Sequence, residues 1–195
     1  NGDILEYMSI RKEITEVINL HKEIEDTQRE IIYKMGEIGE SRSNETGNHV
    51  KRVAHYSKLL ATLYGLEEKE CDILFTSSPM HDIGKVGVPD SILNKPGKLT
   101  EDEWKIMKLH PDIGYKICLP LKNTLGSALQ GIRYHHERLD GSGYPEGLKG
   151  DVIPEIARVI SVVDYYDALT VDRPYRSKMS REDALNLLRE EAASS

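Results

Sequence analysis

Five of the seven histidines in this chain stand where chemistry could be done, and each has an acid, a lysine or a second histidine close by. Glu45 and His49 are four apart, which puts both side chains on one face of a helix and lets them reach one cation. His81 and Asp82 are adjacent in HDIGK. They would diverge along a straight helix, but at a helix end both can turn to one centre, and Lys85, four beyond His81, could meet a phosphate oxygen. His110 precedes Pro111 and reads equally as a helix-terminal histidine. His135 and His136 open HHERLDGSGYP, where Glu137 and Asp140 face a turn that glycine and proline shape. Asp164 lies in VISVVDYYDALT, an apolar helical stretch in which an unpaired carboxylate is costly to bury. Asp167, one turn on, shares its face, and two acids on such a face want a cation. Imidazole nitrogens mixed with carboxylate oxygens suit iron, manganese, zinc or nickel. His21 and His55 read as structural, the latter turned well away from the face of His49.

The rest of the composition narrows the class. The chain of 195 residues carries a formal charge of −7, with 38% hydrophobic and 30% charged residues and a single Trp and Phe. That suits one helical domain plus an extra element. The acidic balance argues against a nucleic-acid polymer or an anionic membrane as partner. An anionic substrate would need local positive charge, and bound metal ions are its strongest source. Cys71 and Cys118 form no framework, so a reducing cytoplasm is expected. No apolar run approaches the roughly 20 residues of a membrane span. The chain begins NGDIL, without Met, and is expected to be a piece of something longer.

Elements that must position these residues read as helices throughout. Residues 3–40 form one long amphipathic helix whose apolar seam runs Ile10, Ile14, Val17, His21, Ile24, Gln28, Ile31, Met35, Ile38, at the coiled-coil period. It either forms a dimer and relays a signal or folds back onto its own domain. A break at GESRSNETGNHV separates it from a domain expected to begin near Ser41, giving a leader over 1–40 and a domain over 41–195. Helices are predicted over 45–64, from about Glu67 into the His81-Asp82 pair, from the capping box at Thr100 and Glu103 through about His110, and over 111–118, 125–137, 153–169 and 181–191. No repeat and no convincing strand is present, so the fold class is all-α.

The ordered stretches NETGNHVKRV, HDIGKVGVPDSILNKPGKLTEDE, HPDIGYKI and HHERLDGSGYPEGLKGDVIPEIARVISVVDYYDALTVDRPYR resemble the HD-GYP family of the HD phosphohydrolase superfamily over about residues 41–191. The resemblance implies a compact HD-type helical bundle and a phosphodiesterase acting on cyclic dinucleotides, chiefly cyclic di-GMP. It implies two or three divalent ions, most often iron, and an upstream sensory or receiver domain. By position, His81 and Asp82 match the family's HD pair, with Asp82 as the bridge between metals, and His49, His110, His135, His136 and Asp164 match the other ligands. Glu45 resembles the acidic ligand of three-metal members. Lys85, Arg173 and Arg176 match phosphate-holding positions. Asp140, Gly143, Tyr144 and Pro145 belong to the substrate lip, with Tyr144 beside the guanine region.

Elementary chemistry agrees with what the resemblance implies. A phosphodiester repels hydroxide, so a site must neutralise it and supply a nucleophile at neutral pH. Two metals about 3.5–4 Å apart do both, a bridging hydroxide attacking while the cations hold the phosphate oxygens. With the resemblance, this makes Asp82 and Lys85 the expected catalytic side chains and linear pGpG, with GMP as a further step, the expected products. Rival expectations are a non-catalytic module that binds a cyclic dinucleotide or a protein, and a phosphohydrolase for another nucleotide such as cyclic GMP-AMP.

Overall fold

The computed structural model of the chain describes residues 2–42, 47–172 and 176–194. It is all-α, with ten α-helices and no β-strand among the described residues. In order they are α1 (Gly2–Ser41), α2 (Gly47–Tyr64), α3 (Glu68–Ser77), α4 (Asp90–Leu93), α5 (Glu101–Met107), α6 (His110–Cys118), α7 (Lys122–Leu125), α8 (Ala128–Tyr134), α9 (Glu155–Thr170) and α10 (Arg181–Ser194).

The last part of α1 folds back onto its own domain, one of the two alternatives for the leader, while the earlier part lies exposed. Ile10, Ile14, Val17, Ile24 and Ile31 on the 3.5-residue seam are exposed, whereas Ile32 is buried in the domain core and Met35 packs against it. The change comes where the opposite face begins to touch the domain. Gly36 lies against the backbone of Pro79, an approach that leaves no room for a side chain.

Two clusters make the core. Ile32, Met80, Ile83, Cys118, Leu125, Ala128, Leu129 and Ile132 join α1, α6, α7 and α8 to the segment after α3. Val53, Ala61, Cys71, Leu74, Ile156, Val159, Ile160 and Val163 join α2, α3 and α9. The helix α9 is apolar on most of its surface because neighbours cover it on several sides, which makes any acid it carries a matter for explanation.

Several predicted boundaries move for local reasons. The helix expected to run into the His81-Asp82 pair stops at Ser77, since Pro79 cannot donate to a continuing ladder. A 3₁₀ turn (Ser78–Met80) carries the chain to His81, and a second (Ile83–Gly87) follows Asp82. The capping box stands as read: Thr100 Oγ1 accepts from the Glu103 amide and Glu103 Oε2 accepts from the Thr100 amide at 2.7 Å. The helix it opens ends at Met107, so His110 begins α6 instead of closing the preceding helix.

Gly84 lets the turn after Asp82 lie against the start of α6: a Cβ there would overlap the carbonyl of His110 and crowd the Gly114 amide. Overpacking of this kind costs about 1–3 kcal/mol. Gly84→Ala is therefore expected to lower the urea midpoint of the protein by a corresponding amount, with the unfolding slope unchanged. An unaltered midpoint would show that the turn is not held this closely.

Candidate metal centre

Four histidines are oriented by one device. The Nδ1–H of His81 donates to the carbonyl of Ser78, that of His110 to Met107 and that of His135 to Ile132, each at 2.8 Å and each three residues back. His49 uses Nδ1 on the Asp167 carboxylate at 2.7 Å. A carbonyl can only accept, so Nδ1 carries a proton in the first three rings and Nε2 is the ring nitrogen directed elsewhere. Second partners of this kind are what orient metal-binding imidazoles.

These Nε2 atoms converge on carboxylates. His110 Nε2 lies 3.0 Å and His135 Nε2 3.7 Å from Asp82 Oδ1, while His81 Nε2 lies 3.2 Å from Oδ2 of the same residue. His49 Nε2 and His81 Nε2 lie 3.6 and 3.8 Å from Asp164 Oδ1. The result is two adjoining groups, Asp82 with His110, His135 and His136, and His49 with His81 and Asp164, the candidate ligand atoms of each lying within 4.8 Å of one another. Both groups suit a divalent cation by donor type. The buried His81 Nε2 and Asp82 Oδ1 atoms make no hydrogen bond, although they are polar and cut off from water. Such atoms are costly unless something else satisfies them.

The local charges sort the rings. Burial alone would depress the His81 imidazole, but the carboxylate of Asp82, with Asp164 and Glu40 behind it, pushes its pKa up to about 10. Burial would raise Asp82, yet the Lys85 ammonium and His81 hold it well below the usual carboxylate range. Burial pulls His135 down, and burial together with His135 and His110 pulls His136 well down, so these two rings are neutral. A cation entering the second group must expel the His81 proton; the first already offers the neutral rings of His135 and His136.

The sequence-predicted residues fall into three sets. His49, His81, Asp82, His110, His135, His136 and Asp164 come together as described. Glu45 and Arg173 lie outside the described residues. The remainder are the residues expected to hold or shape the substrate: Lys85, Asp140, Gly143, Tyr144, Pro145, Asp167 and Arg176. Asp167 is 2% exposed, and its oxygens accept from His49 and from Arg52, whose Nη2 is at 2.9 Å. Arg176 donates to the Ala168 carbonyl at the end of α9. Lys85 is paired with Asp82 Oδ2 at 2.6 Å and Glu40 at 3.4 Å. Asp140 is exposed and shapes the turn, accepting from the Ser142 amide and hydroxyl at 2.8 and 2.7 Å.

The lip itself follows HHERLDGSGYP. Gly141 adopts a left-handed φ of 80°, but Gly143 is required for a different reason: its backbone lies against Glu137, Arg138 and the His136 carbonyl, with no space for a Cβ. Glu137, buried, accepts from the amides of Glu146, Gly147 and Leu148 at 2.8, 3.1 and 2.9 Å and so ties the loop after Pro145 to the ring pair. Tyr144 stacks on His136 at 4.7 Å between centroids, and burial raises its hydroxyl pKa, keeping it a donor.

Sequence reading missed Glu40, Arg42 and Arg52. Glu40 is 1% exposed at the end of α1 and meets Lys85, and Arg42 donates to the carbonyls of Val86 and Val88 and to Asp90. Nothing in GESR marks Glu40 as an interior residue or Arg42 as a partner of the turn after Asp82. Arg52, three beyond His49 on α2, was legible only as a helical neighbour of a candidate ligand.

Comparison with known proteins adds a family match, two relatives and a solved structure. The family model described as HD domain matches residues 34–195. A 3′3′-cGAMP-specific phosphodiesterase 2 from Vibrio cholerae is 46% identical over 168 residues, 86% of this chain and 32% of that protein. The cyclic di-GMP phosphodiesterase response regulator RpfG from Xanthomonas campestris is 44% identical, over 85% of this chain and 44% of its own length. The chain thus spans less than half of either relative. Among solved structures, the cyclic GMP-AMP specific phosphodiesterase V-cGAP3 of V. cholerae superposes with a TM-score of 0.65 at 18% identity, over 83% of this chain and 44% of that one, a likeness of fold.

Because His81 is protonated well above neutrality in the metal-free protein, its ion pair with Asp82 contributes stability fully below pH 6.5 and loses it as pH rises through about 10. Loading by Mn(II) of chelator-treated protein is expected to release protons and to tighten severalfold per unit between pH 6.5 and higher pH. Calorimetry in buffers of different ionisation heat measures both, and an affinity independent of pH would contradict the assignment.

Proposed function

The chain belongs to the HD domain family, and from that premise we propose that it is a metal-dependent phosphodiesterase that hydrolyses cyclic di-GMP to linear pGpG, with GMP as a further product. The observation that carries this reading is the convergence of four carbonyl- or carboxylate-anchored imidazoles, with Asp82 and Asp164, into two adjoining groups. A purely binding module has no need of so many buried donors in so small a volume.

We assign His49, His81 and Asp164 to one divalent ion and His110, His135 and His136 to another, with Asp82 between them because its two oxygens face different histidines. Glu45 is proposed for a third. Iron is the first candidate and manganese the second, with zinc and nickel also compatible with this donor set. When bound, such ions would offset the charge of the diester and acidify a water molecule. The chain's own part is to hold Asp82 ionised through Lys85, keep the histidine tautomers fixed and close the lip over the diester. Lys85, Arg173 and Arg176 are proposed to donate to phosphate oxygens, and Asp140, Gly143, Tyr144 and Pro145 to shape the substrate contact, Arg176 and Lys85 leaving their present partners to do so. Cyclic GMP-AMP is the second reading, favoured by the names of the Vibrio relatives.

Residues 1–40 are proposed as a leader that joins the domain 41–195, in the cytoplasm, to an upstream sensory or receiver domain. No helix among the described residues is long and apolar enough to cross a membrane. The seam through Ile10, Ile14, Val17, Ile24 and Ile31 would pair with a second copy as a coiled coil. Val17→Asp combined with Ile24→Asp should then yield a monomer by sedimentation, and wild type that sediments as a monomer at micromolar concentration would refute the pairing.

Under anaerobic conditions, protein loaded with Fe(II) or Mn(II) is expected to convert cyclic di-GMP to pGpG, followed by chromatography alongside cyclic GMP-AMP. His81→Ala and Asp82→Ala should each lower kcat by about a hundredfold or more. Full metal occupancy without turnover of either substrate would overturn the hydrolytic reading.

A further inference from the structure

The only tryptophan in the chain is not a core residue. Trp104 sits on α5, a short helix with no buried residue, and is 45% exposed. It meets Tyr144 edge to face, with centroids 6.5 Å apart at 73°, and Tyr144 in turn stacks on His136. A continuous line of rings therefore runs from the metal centre to a large aromatic face in solvent. Lys108, one turn after Trp104, places its ammonium 5.9 Å from the Trp104 centroid and 5.2 Å from that of Tyr144. Its helix neighbour Lys105 pairs with Asp102, and Lys95 pairs with Glu103, yet Lys108 pairs with no carboxylate among the described residues. Asp102 and Glu103 are thus turned to other lysines, and one cation is left against two rings.

We propose that Trp104, Lys108 and Tyr144 form a base-binding platform at the rim of the site, selective for guanine. An exposed aromatic face stacks on any base, since every base offers a π-face. Selectivity comes from Lys108, which can only donate. Guanine presents two adjacent acceptors, O6 and N7, whereas adenine presents one acceptor beside an amino donor that an ammonium repels. Cation and rings are mutually favourable, so the lysine is held at the platform before any ligand arrives. Cyclic di-GMP can then seat either base, and cyclic GMP-AMP only in the orientation that puts its guanine here. The proposal rests on the phosphodiesterase reading of the neighbouring centre, since it takes the base to belong to that centre's substrate.

The single tryptophan makes a test possible without hydrolysis. The metal-loaded protein is titrated with 5′-GMP and with 5′-AMP, which contain no diester to cleave, and Trp104 emission is followed. Saturable quenching by GMP at a concentration at least about fivefold lower than by AMP is expected, with the difference lost in Lys108→Gln. In steady-state assays with cyclic di-GMP, Trp104→Ala should raise KM about tenfold with kcat little changed, and Trp104→Phe should restore most of the loss. Unchanged emission with both nucleotides, equal quenching by both, or an unaltered KM in Trp104→Ala would overturn the platform. Quenching by GMP in a protein that cleaves no diester would support the platform and count against the phosphodiesterase reading alone.

Discussion

A single buried carboxylate sets the terms for this fold. Asp82 lies among three imidazoles and an ammonium, with one oxygen toward His110 and the other toward His81 and Lys85. An ionised carboxylate in such surroundings is tolerable only if charge and hydrogen bonds meet it from several directions. Lys85 comes from the turn just after Asp82, but His110 comes from the start of α6 and His135 from the end of α8, far along the chain. Packing them around one residue fixes how those helices sit, and the glycine-mediated contact of the HD turn with α6 follows from that need.

The same segment also receives the end of α1. Glu40 reaches Lys85, which holds Asp82, and Arg42 fastens the carbonyls that follow Lys85. An exposed seam and a buried end thus occur on one continuous helix, so a change of pairing or orientation along its free part has a short mechanical path to the carboxylate. The path consists of packed glycine against backbone, two ion pairs and a guanidinium clamp, which are stiff contacts.

Most of the site was legible because it consists of residues whose burial is costly without a purpose. His81-Asp82, His135-His136 and Asp164 are unusual neighbours in helical or turn sequence, and resemblance supplied the order linking them. Helix existence was also legible, through periodicity and through the Thr100 capping box. What was hidden depended on three-dimensional partners. Asp167 reads like Asp164 along α9, but its oxygens are taken up by His49 and Arg52. Glu40 and Arg42 look like solvated residues at a helix end. Gly143 reads as a conformational glycine, and only the proximity of Glu137 and Arg138 shows that it is there for space. Pro79, visible in the sequence, is what stops α3 short of the His81-Asp82 pair.

The central claim is that the two adjoining groups share Asp82 as the common side chain of two cations. Anomalous diffraction from crystals of protein loaded anaerobically with Mn(II), collected across the manganese edge, measures this directly. The account predicts one peak beside His49, His81 and Asp164 and a second beside His110, His135 and His136, with an oxygen of Asp82 within coordination distance of each. A single peak, or peaks that leave Asp82 without a metal neighbour, would contradict it.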